Sequence, residues 1–216
     1  MVTLLITRPL YELTTHYLFY WNEKIIDLAK RKGYKVLDLH TKRANKKTFT
    51  SYVKNRRPNF ILLNGHGSSD LIAGQNNEVI IKVGDNEELL IGKIVYALSC
   101  KTGQTLGPKS VQIGAVSYIG YKEDFNFWGN STYSARPLSD PRAKLFFDPS
   151  NQIGISLLKG HTVEDACKRA KNAFLKNVQK LVVTNSSDQF VIPDLLWNMN
   201  HLDYFGNAKA TINIKL

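Results

Sequence analysis

The first half of the chain alternates short apolar runs with segments of helical periodicity. Three runs rich in valine, leucine and isoleucine predict strands at residues 2–7, 35–40 and 60–63. Between them, residues 15–32 repeat apolar positions at helical spacing and stop at Gly33, and residues 45–55 predict a shorter helix. The order strand, helix, strand, helix, strand implies right-handed crossovers and therefore a parallel sheet.

The run from Phe60 to Leu63 contains no polar residue, which is typical of a strand covered by helices on both faces. The predicted fold class is therefore α/β, with a mostly parallel sheet sandwiched by helices in three layers. A chain of 216 residues with 43% hydrophobic residues is expected to form one domain around one core, so residues 1–216 are interpreted as a single domain.

The pattern changes after residue 66. Residues 78–92 combine a short apolar run with a Gly-Asp-Asn turn and predict a hairpin or a small excursion from the sheet. Residues 208–216 alternate apolar and polar side chains, which indicates a strand with one solvent-facing side at a sheet edge. The remaining predicted elements are core strands at 94–98 and 111–120, and helices at 141–159, 163–182 and 192–200.

Composition narrows the classes of partner. A net charge of +11 and a pI near 9.6 favour acidic partners, but the lysines and arginines occur in scattered short groups that suit solvated helix faces. We therefore expect no nucleic-acid surface. No apolar stretch approaches the roughly 20 residues that a membrane span needs, and no signal peptide is apparent. Two cysteines without a CxxC motif predict free thiols in the cytoplasm and no metal site, and no cofactor is implied.

Two reactive side chains each follow a predicted core strand. His66, in the sequence Gly-His-Gly, lies three residues past Leu63, and Cys100 lies two residues past Leu98. Ligands of open parallel sheets bind beyond the carboxyl ends of the strands, so the two side chains would meet there if their strands are neighbours. An imidazole promotes thiolate formation and can return a proton to a departing amine. The backbone amides of Gly67 and Cys100 could donate hydrogen bonds to an oxyanion.

The other cysteine and the other histidines are interpreted as structural. Cys167 lies on the apolar stripe of the helix predicted at 163–182 and is expected to be a packed core thiol. Four histidines lack a glycine frame and are expected to be structural or solvated: His16, His40, His161 and His201.

The stretches "FILLNGHGS" and "IVYALSC" together resemble the paired signature of the caspase-like cysteine peptidases, which include caspases, metacaspases, gingipains, clostripain, separase and CHAT domains. "SCKTG", "GAVSYIGY" and "YFGNAKATINI" are similar to later segments of the gingipain-type and CHAT-like branch. The resemblance implies a caspase-like sheet between helices. It implies a cysteine endopeptidase that acts through a thioester acyl-enzyme on proteins or peptides. His66 would be the general acid and base, Cys100 the nucleophile, and the amides of Gly67 and Cys100 the oxyanion hole.

The substrate pocket departs from the family pattern. In the clostripain, separase and CHAT branch a carboxylate often lies two residues before the cysteine, where this chain has Leu98. Replacement carboxylates are Glu123 and Asp124, in the irregular segment 121–141, which could pair with a basic P1 side chain. We favour a basic P1 residue on this basis, and expect Asp70 to shape the loop beside His66.

Other pockets remain open. Trp128, with Phe125 and Phe127, could form an apolar wall, while Lys122 and Arg136 could serve an acidic substrate. Activation by a partner, by dimerisation or by cleavage of a loop is equally open.

The alternative function is a non-catalytic caspase-like module that docks acidic partners through its basic helices. A nucleotide-binding α/β protein is a weaker alternative, because "TRPLYEL" follows the first strand where a Gly-rich phosphate loop would stand. Thiol labelling separates an enzyme from a binding module, because only an enzyme needs a Cys100 more reactive than Cys167.

Overall fold

The computed structural model describes residues 2–212 of the chain. The strands are β1 (Thr3–Arg8), β2 (Lys35–His40), β3 (Phe60–Asn64), β4 (Leu71–Ala73), β5 (Val79–Lys82), β6 (Ile94–Leu98), β7 (Ser117–Tyr121) and β8 (Leu202–Gly206). The α-helices are α1 (Leu13–Trp21), α2 (Glu23–Arg31), α3 (Lys46–Arg56), α4 (Leu106–Gln112), α5 (Pro141–Leu158), α6 (Val163–Val183) and α7 (Ile192–His201).

Six strands form the main sheet in the order β2-β1-β3-β6-β7-β8. All neighbouring strands in it run parallel except β8, which pairs antiparallel with β7 at the edge. Strands β3 and β6 therefore lie side by side at the centre, in a register that pairs Asn64 with Leu98. The predicted mostly parallel sheet is confirmed.

Both faces of the sheet are covered. Alternate residues of β1 enter different cores: Leu4 and Ile6 pack with helices α1, α2, α5 and α6, whereas Leu5 packs with α3, α4 and the small β4–β5 sheet. Every residue of β1, β3, β6 and β7 is buried. Each buried aliphatic side chain contributes about 1.5–3 kcal/mol, so the uninterrupted apolar runs stabilise the three-layer arrangement.

The helix predicted at 15–32 is two helices that meet at Asn22. The Asn22 side chain donates to the Asn64 side-chain oxygen over 2.9 Å, and the neighbouring carbonyl of Trp21 accepts from the Asn151 side chain over 2.7 Å. These contacts come from a strand and a helix distant in sequence, which is why helical periodicity alone does not locate the junction.

Three strand predictions need correction. The strand predicted at 111–120 begins only at residue 117, as β7, because residues 111 and 112 end helix α4. Strand β5 pairs antiparallel with β4 in a separate two-stranded sheet, so the excursion is confirmed, but a hairpin within 78–92 is wrong. Residues 208–212 form no strand, and residues 213–216 lie outside the described part of the chain. The carbonyls of Ala208 and Ala210 instead accept from the first N–H groups of α6, at Glu164 and Val163, over 3.0 Å each. The C-terminal strand at the edge of the sheet is β8.

Between residues 2 and 212, no helix combines the length and the apolar character needed to cross a membrane.

Candidate active site

His66 and Cys100 follow the two central strands of the sheet. Because β3 and β6 run parallel with Asn64 opposite Leu98, the chain leaves both strands at the same edge and in step. His66 and Cys100 line one cleft at that edge, with a volume of about 520 Å³. The structure thus brings together the two side chains that the sequence analysis singled out.

Glycines allow the two loops to touch. A Cβ atom on Gly67 would lie 2.6 Å from the carbonyl oxygen of Cys100 and 3.0 Å from the Cβ of Ser99. Gly65 has a φ of +143°, and a Cβ there would lie 2.0 Å from the carbonyl oxygen of Ala73. Gly67 allows the histidine loop to approach Cys100, and Gly65 allows it to approach β4.

A buried polar cluster holds the base of the histidine loop. The Asn64 side chain donates to the carbonyl of Thr7 over 2.7 Å, and its backbone N–H donates to the Thr7 hydroxyl over 2.9 Å. Its side-chain oxygen accepts from Asn22. All three residues are buried, so β1, β3 and the junction of α1 and α2 are joined two residues before His66.

Glu12 lies beside His66. Its Oε1 atom is 3.4 Å from His66 Nε2, and both side chains are partly exposed. The same carboxylate caps α1 by accepting from the backbone N–H groups of Thr14, over 2.8 Å, and Thr15, over 2.6 Å. Burial alone would raise the pKa of the Glu12 carboxyl, but these two hydrogen bonds, a third from the Thr15 hydroxyl and the nearby His66 lower the pKa below its usual value. Glu12 therefore presents a negative charge to the imidazole.

The Cys100 thiol is partly exposed, and Lys101 after it adopts a left-handed φ of 60° that turns the chain away. Burial raises the pKa of the thiol, a hydrogen bond from the backbone of Phe125 opposes that rise, and the Asp124 carboxylate adds to it. The thiol is therefore protonated at neutral pH in the free protein. Cys167 is buried among apolar side chains, which raises its pKa to about 12.

Another wall of the cleft is formed by the segment 124–128, which helix α7 holds in place. The Asp194 carboxylate accepts from the indole N–H of Trp128 over 2.6 Å and from the Asn126 side chain over 2.9 Å. Asn198 accepts from the backbone of Asn126 over 3.0 Å. Asp124 forms an ion pair with Lys101 over 3.0 Å.

The four substrate-binding candidates divide into two pairs. Asp124 and Trp128 line the cleft, whereas Asp70 and Glu123 do not. The Asp70 carboxylate accepts from the Ser68 hydroxyl over 2.7 Å within the loop after β3.

Two carboxylates, Glu12 beside His66 and Asp194 in the cleft, have no motif that marks them in the sequence. The signal for Glu12 would have been its position: it follows β1, which neighbours β3, so it lies at the same edge as His66. Among residues 2–212, no cluster of three or more histidine, cysteine, aspartate or glutamate side chains could hold a metal ion.

No protein-family model matched the sequence, and no curated protein matched it. Solved structures match its fold. The complex of the pro- and mature domains of RgpB from Porphyromonas gingivalis matches with a TM-score of 0.61 and 13% identity, over 96% of this chain and 47% of that one. A crystal structure of the Arg-specific cysteine proteinase gingipain R (RgpB) matches with a TM-score of 0.65 and 12% identity, over 96% and 46%. The chain has the caspase-like fold of gingipain R and spans about half the length of these structures.

Proposed function

We propose that this protein is a cysteine endopeptidase in which Cys100 is the nucleophile and His66 the general acid and base. One observation carries the proposal: the two side chains follow neighbouring central strands and line one cleft, with Gly67 packed directly on the backbone of Cys100. The caspase-like fold shared with gingipain R supports the same reading.

The state of the thiol suggests how the reaction begins. Because burial raises the pKa of Cys100, a base must remove the proton as the sulfur attacks, and His66 is the imidazole on the same cleft. The bond from Sγ to the substrate carbonyl carbon forms, and the oxyanion accepts from the amides of Gly67 and Cys100. His66 then gives the proton to the amine as the C–N bond breaks, leaving a thioester. Water, deprotonated by His66, hydrolyses the thioester and frees the thiol.

Glu12 is proposed as a positioning residue for His66. Its carboxylate lies 3.4 Å from Nε2 and is itself fixed by the first turn of α1. A fixed negative charge beside the imidazole favours one ring orientation and stabilises the imidazolium that forms during the reaction.

The composition of the cleft supports a basic P1 residue. Two carboxylates, Asp124 and Asp194, line it together with the aromatic side chains of Phe125, Phe127 and Trp128. Carboxylates pair with a guanidinium or ammonium group, and aromatic faces attract cations. Gingipain R is described as Arg-specific, which supports the same preference here. Asp124 and Asp194 replace the pair Glu123 and Asp124 as the carboxylates proposed to select the substrate.

The proposed partners are a protein or peptide substrate and a protein regulator. The complex solved for RgpB joins pro- and mature domains. That complex supports the second of these partners, the protein regulator.

The test is cleavage of a peptide library by the wild-type protein and by the variants Cys100→Ala and His66→Ala, with Cys167→Ala as the matched control. We expect cleavage after arginine or lysine that both site variants abolish and the control retains. Iodoacetamide should modify Cys100 before the buried Cys167 both in the wild-type protein and in His66→Ala, and His66→Ala should slow the modification of Cys100. If no peptide is cleaved and Cys100 reacts at the same rate with and without His66, the peptidase proposal is wrong and the non-catalytic binding module replaces it.

A further inference from the structure

A second groove lies next to the catalytic cleft, at the start of α1. Its volume is about 570 Å³, and its walls include the side chains of Leu10, Leu13, Tyr20 and Ala135. Leu13 is 60% exposed, which is unusual for a leucine. A hydrogen bond between His16 and the carbonyl of Ser134, over 2.8 Å, joins the two sides of the groove.

The groove is continuous with His66. Tyr11 and Glu12 line it, and both contact the imidazole: the Tyr11 ring meets it edge-on with centroids 6.3 Å apart, and Glu12 lies 3.4 Å from Nε2. Thr14, one residue after Leu13, lines the catalytic cleft. The first turn of α1 therefore separates cleft and groove, and His66 lies at the boundary between them.

The chemistry of acyl transfer places the two halves of the substrate on different sides of the site, one at Cys100 and the other at His66. The acyl half of the substrate becomes bonded to Cys100, and the amine half takes its proton from His66 before it leaves. The residues after the scissile bond must therefore pass on the His66 side, where Tyr11 and Glu12 begin the groove. An extended peptide advances about 3.3 Å per residue, so the first three of these residues reach about 10 Å beyond the bond.

We propose that this groove is a primed-side subsite that binds an apolar side chain within the three residues after the scissile bond. The inference rests on the proposed peptidase function and adds a second determinant of substrate choice. The walls at Leu10, Leu13 and Tyr20 favour an aliphatic or aromatic side chain, and the Glu12 carboxylate at the boundary with His66 disfavours an acidic one.

The experiment compares internally quenched peptides that share the same residues before the scissile bond and carry leucine or aspartate at P1′, P2′ or P3′. A peptidyl aminocoumarin that ends at P1 has no residue after the scissile bond, so it reports the activity of the wild-type protein without any contribution from the groove. We expect leucine to exceed aspartate in kcat/KM at one of the three positions by about tenfold, the lower end of the discrimination that an apolar pocket provides.

The variant Leu13→Ser should reduce that leucine-to-aspartate ratio by at least about threefold, since it removes the exposed apolar wall. The matched control is Val183→Ser, which alters an 84% exposed valine at the end of α6 that lines neither the groove nor the cleft, and should leave the ratio unchanged. A wild-type protein that hydrolyses the coumarin substrate but treats both peptides alike, or a ratio unaffected by Leu13→Ser, refutes the subsite alone. Absence of hydrolysis of every substrate refutes the peptidase proposal, and the subsite with it.

Discussion

Replacing Gly67 with alanine adds one methyl group at the point where the loops carrying His66 and Cys100 touch. The new Cβ would lie 2.6 Å from the Cys100 carbonyl oxygen, whereas ordinary contact begins at 3.4 Å, so the loops must separate by at least the difference of 0.8 Å. The obstructing atom belongs to the backbone and cannot rotate away. We expect a loss of about 1–3 kcal/mol in the free energy of unfolding from overpacking. A displacement near 1 Å between reacting groups typically costs about 100-fold in rate.

The assay is kcat/KM on a peptide with arginine at P1, at a temperature where circular dichroism shows the variant folded, together with urea unfolding. The matched control is Gly154→Ala in α5, whose Cβ would lie 2.8 Å from the side chain of Ile25, in the core. The control should lose some stability and keep its kcat/KM. If Gly67→Ala keeps wild-type kcat/KM, contact between the two loops does not set the catalytic geometry, and the reasoning is wrong.

Three further outcomes are expected. Glu12→Gln should lower kcat by about 10- to 100-fold with little change in KM, because the imidazole loses its fixed charge, while Glu123→Gln, outside the cleft, should not. Because folding lowers the pKa of Glu12, this carboxyl stabilises the fold above pH 4.5, its usual pKa, and loses that contribution as the pH falls through the lower folded pKa. Below pH 4.5 the melting temperature should therefore fall less steeply with pH in Glu12→Gln than in the wild-type protein. Asp140→Ala should cost about 2–4 kcal/mol in urea unfolding, because it removes the cap of α5 and a partner of the Tyr17 hydroxyl. Asp148→Ala, at a partly exposed ion pair, should cost less than about 1 kcal/mol.

The central part of the fold could be predicted because its signals are local. A strand buried on both faces must be apolar throughout, so "FILL" and "IVYAL" indicate β3 and β6 without any knowledge of their neighbours. Helices α5 and α6 are likewise marked by their own ends, through the Asp140 and Thr162 caps. The strand prediction was wrong over residues 208–212 because alternating apolar and polar side chains also occur in an irregular segment whose carbonyls accept from the first turn of a helix.

The candidate site could be predicted in part for a related reason. His66 and Cys100 are recognisable because each ends an apolar run, and parallel topology then brings the ends of neighbouring strands together. Glu12 lies 54 positions before His66, and its immediate surroundings predict only a helix start. Asp194 reaches the cleft because α7 packs beside the segment 124–128, a tertiary contact that no periodicity reports.

The two walls of the cleft differ in how they are built. His66 and Cys100 follow strands in which every residue is buried. A hydrogen bond from the Asn64 side chain to Thr7 joins one of these strands, β3, to its neighbour β1. The wall formed by residues 124–128 is irregular and depends on a few side-chain hydrogen bonds to α7. Exchanging that wall would leave the buried strands before His66 and Cys100 undisturbed, but it would also change the surroundings of the Cys100 thiol, which receives a hydrogen bond from the backbone of Phe125 and lies beside Asp124. Variation of this one segment would therefore alter the shape of the cleft and the acidity of its thiol together.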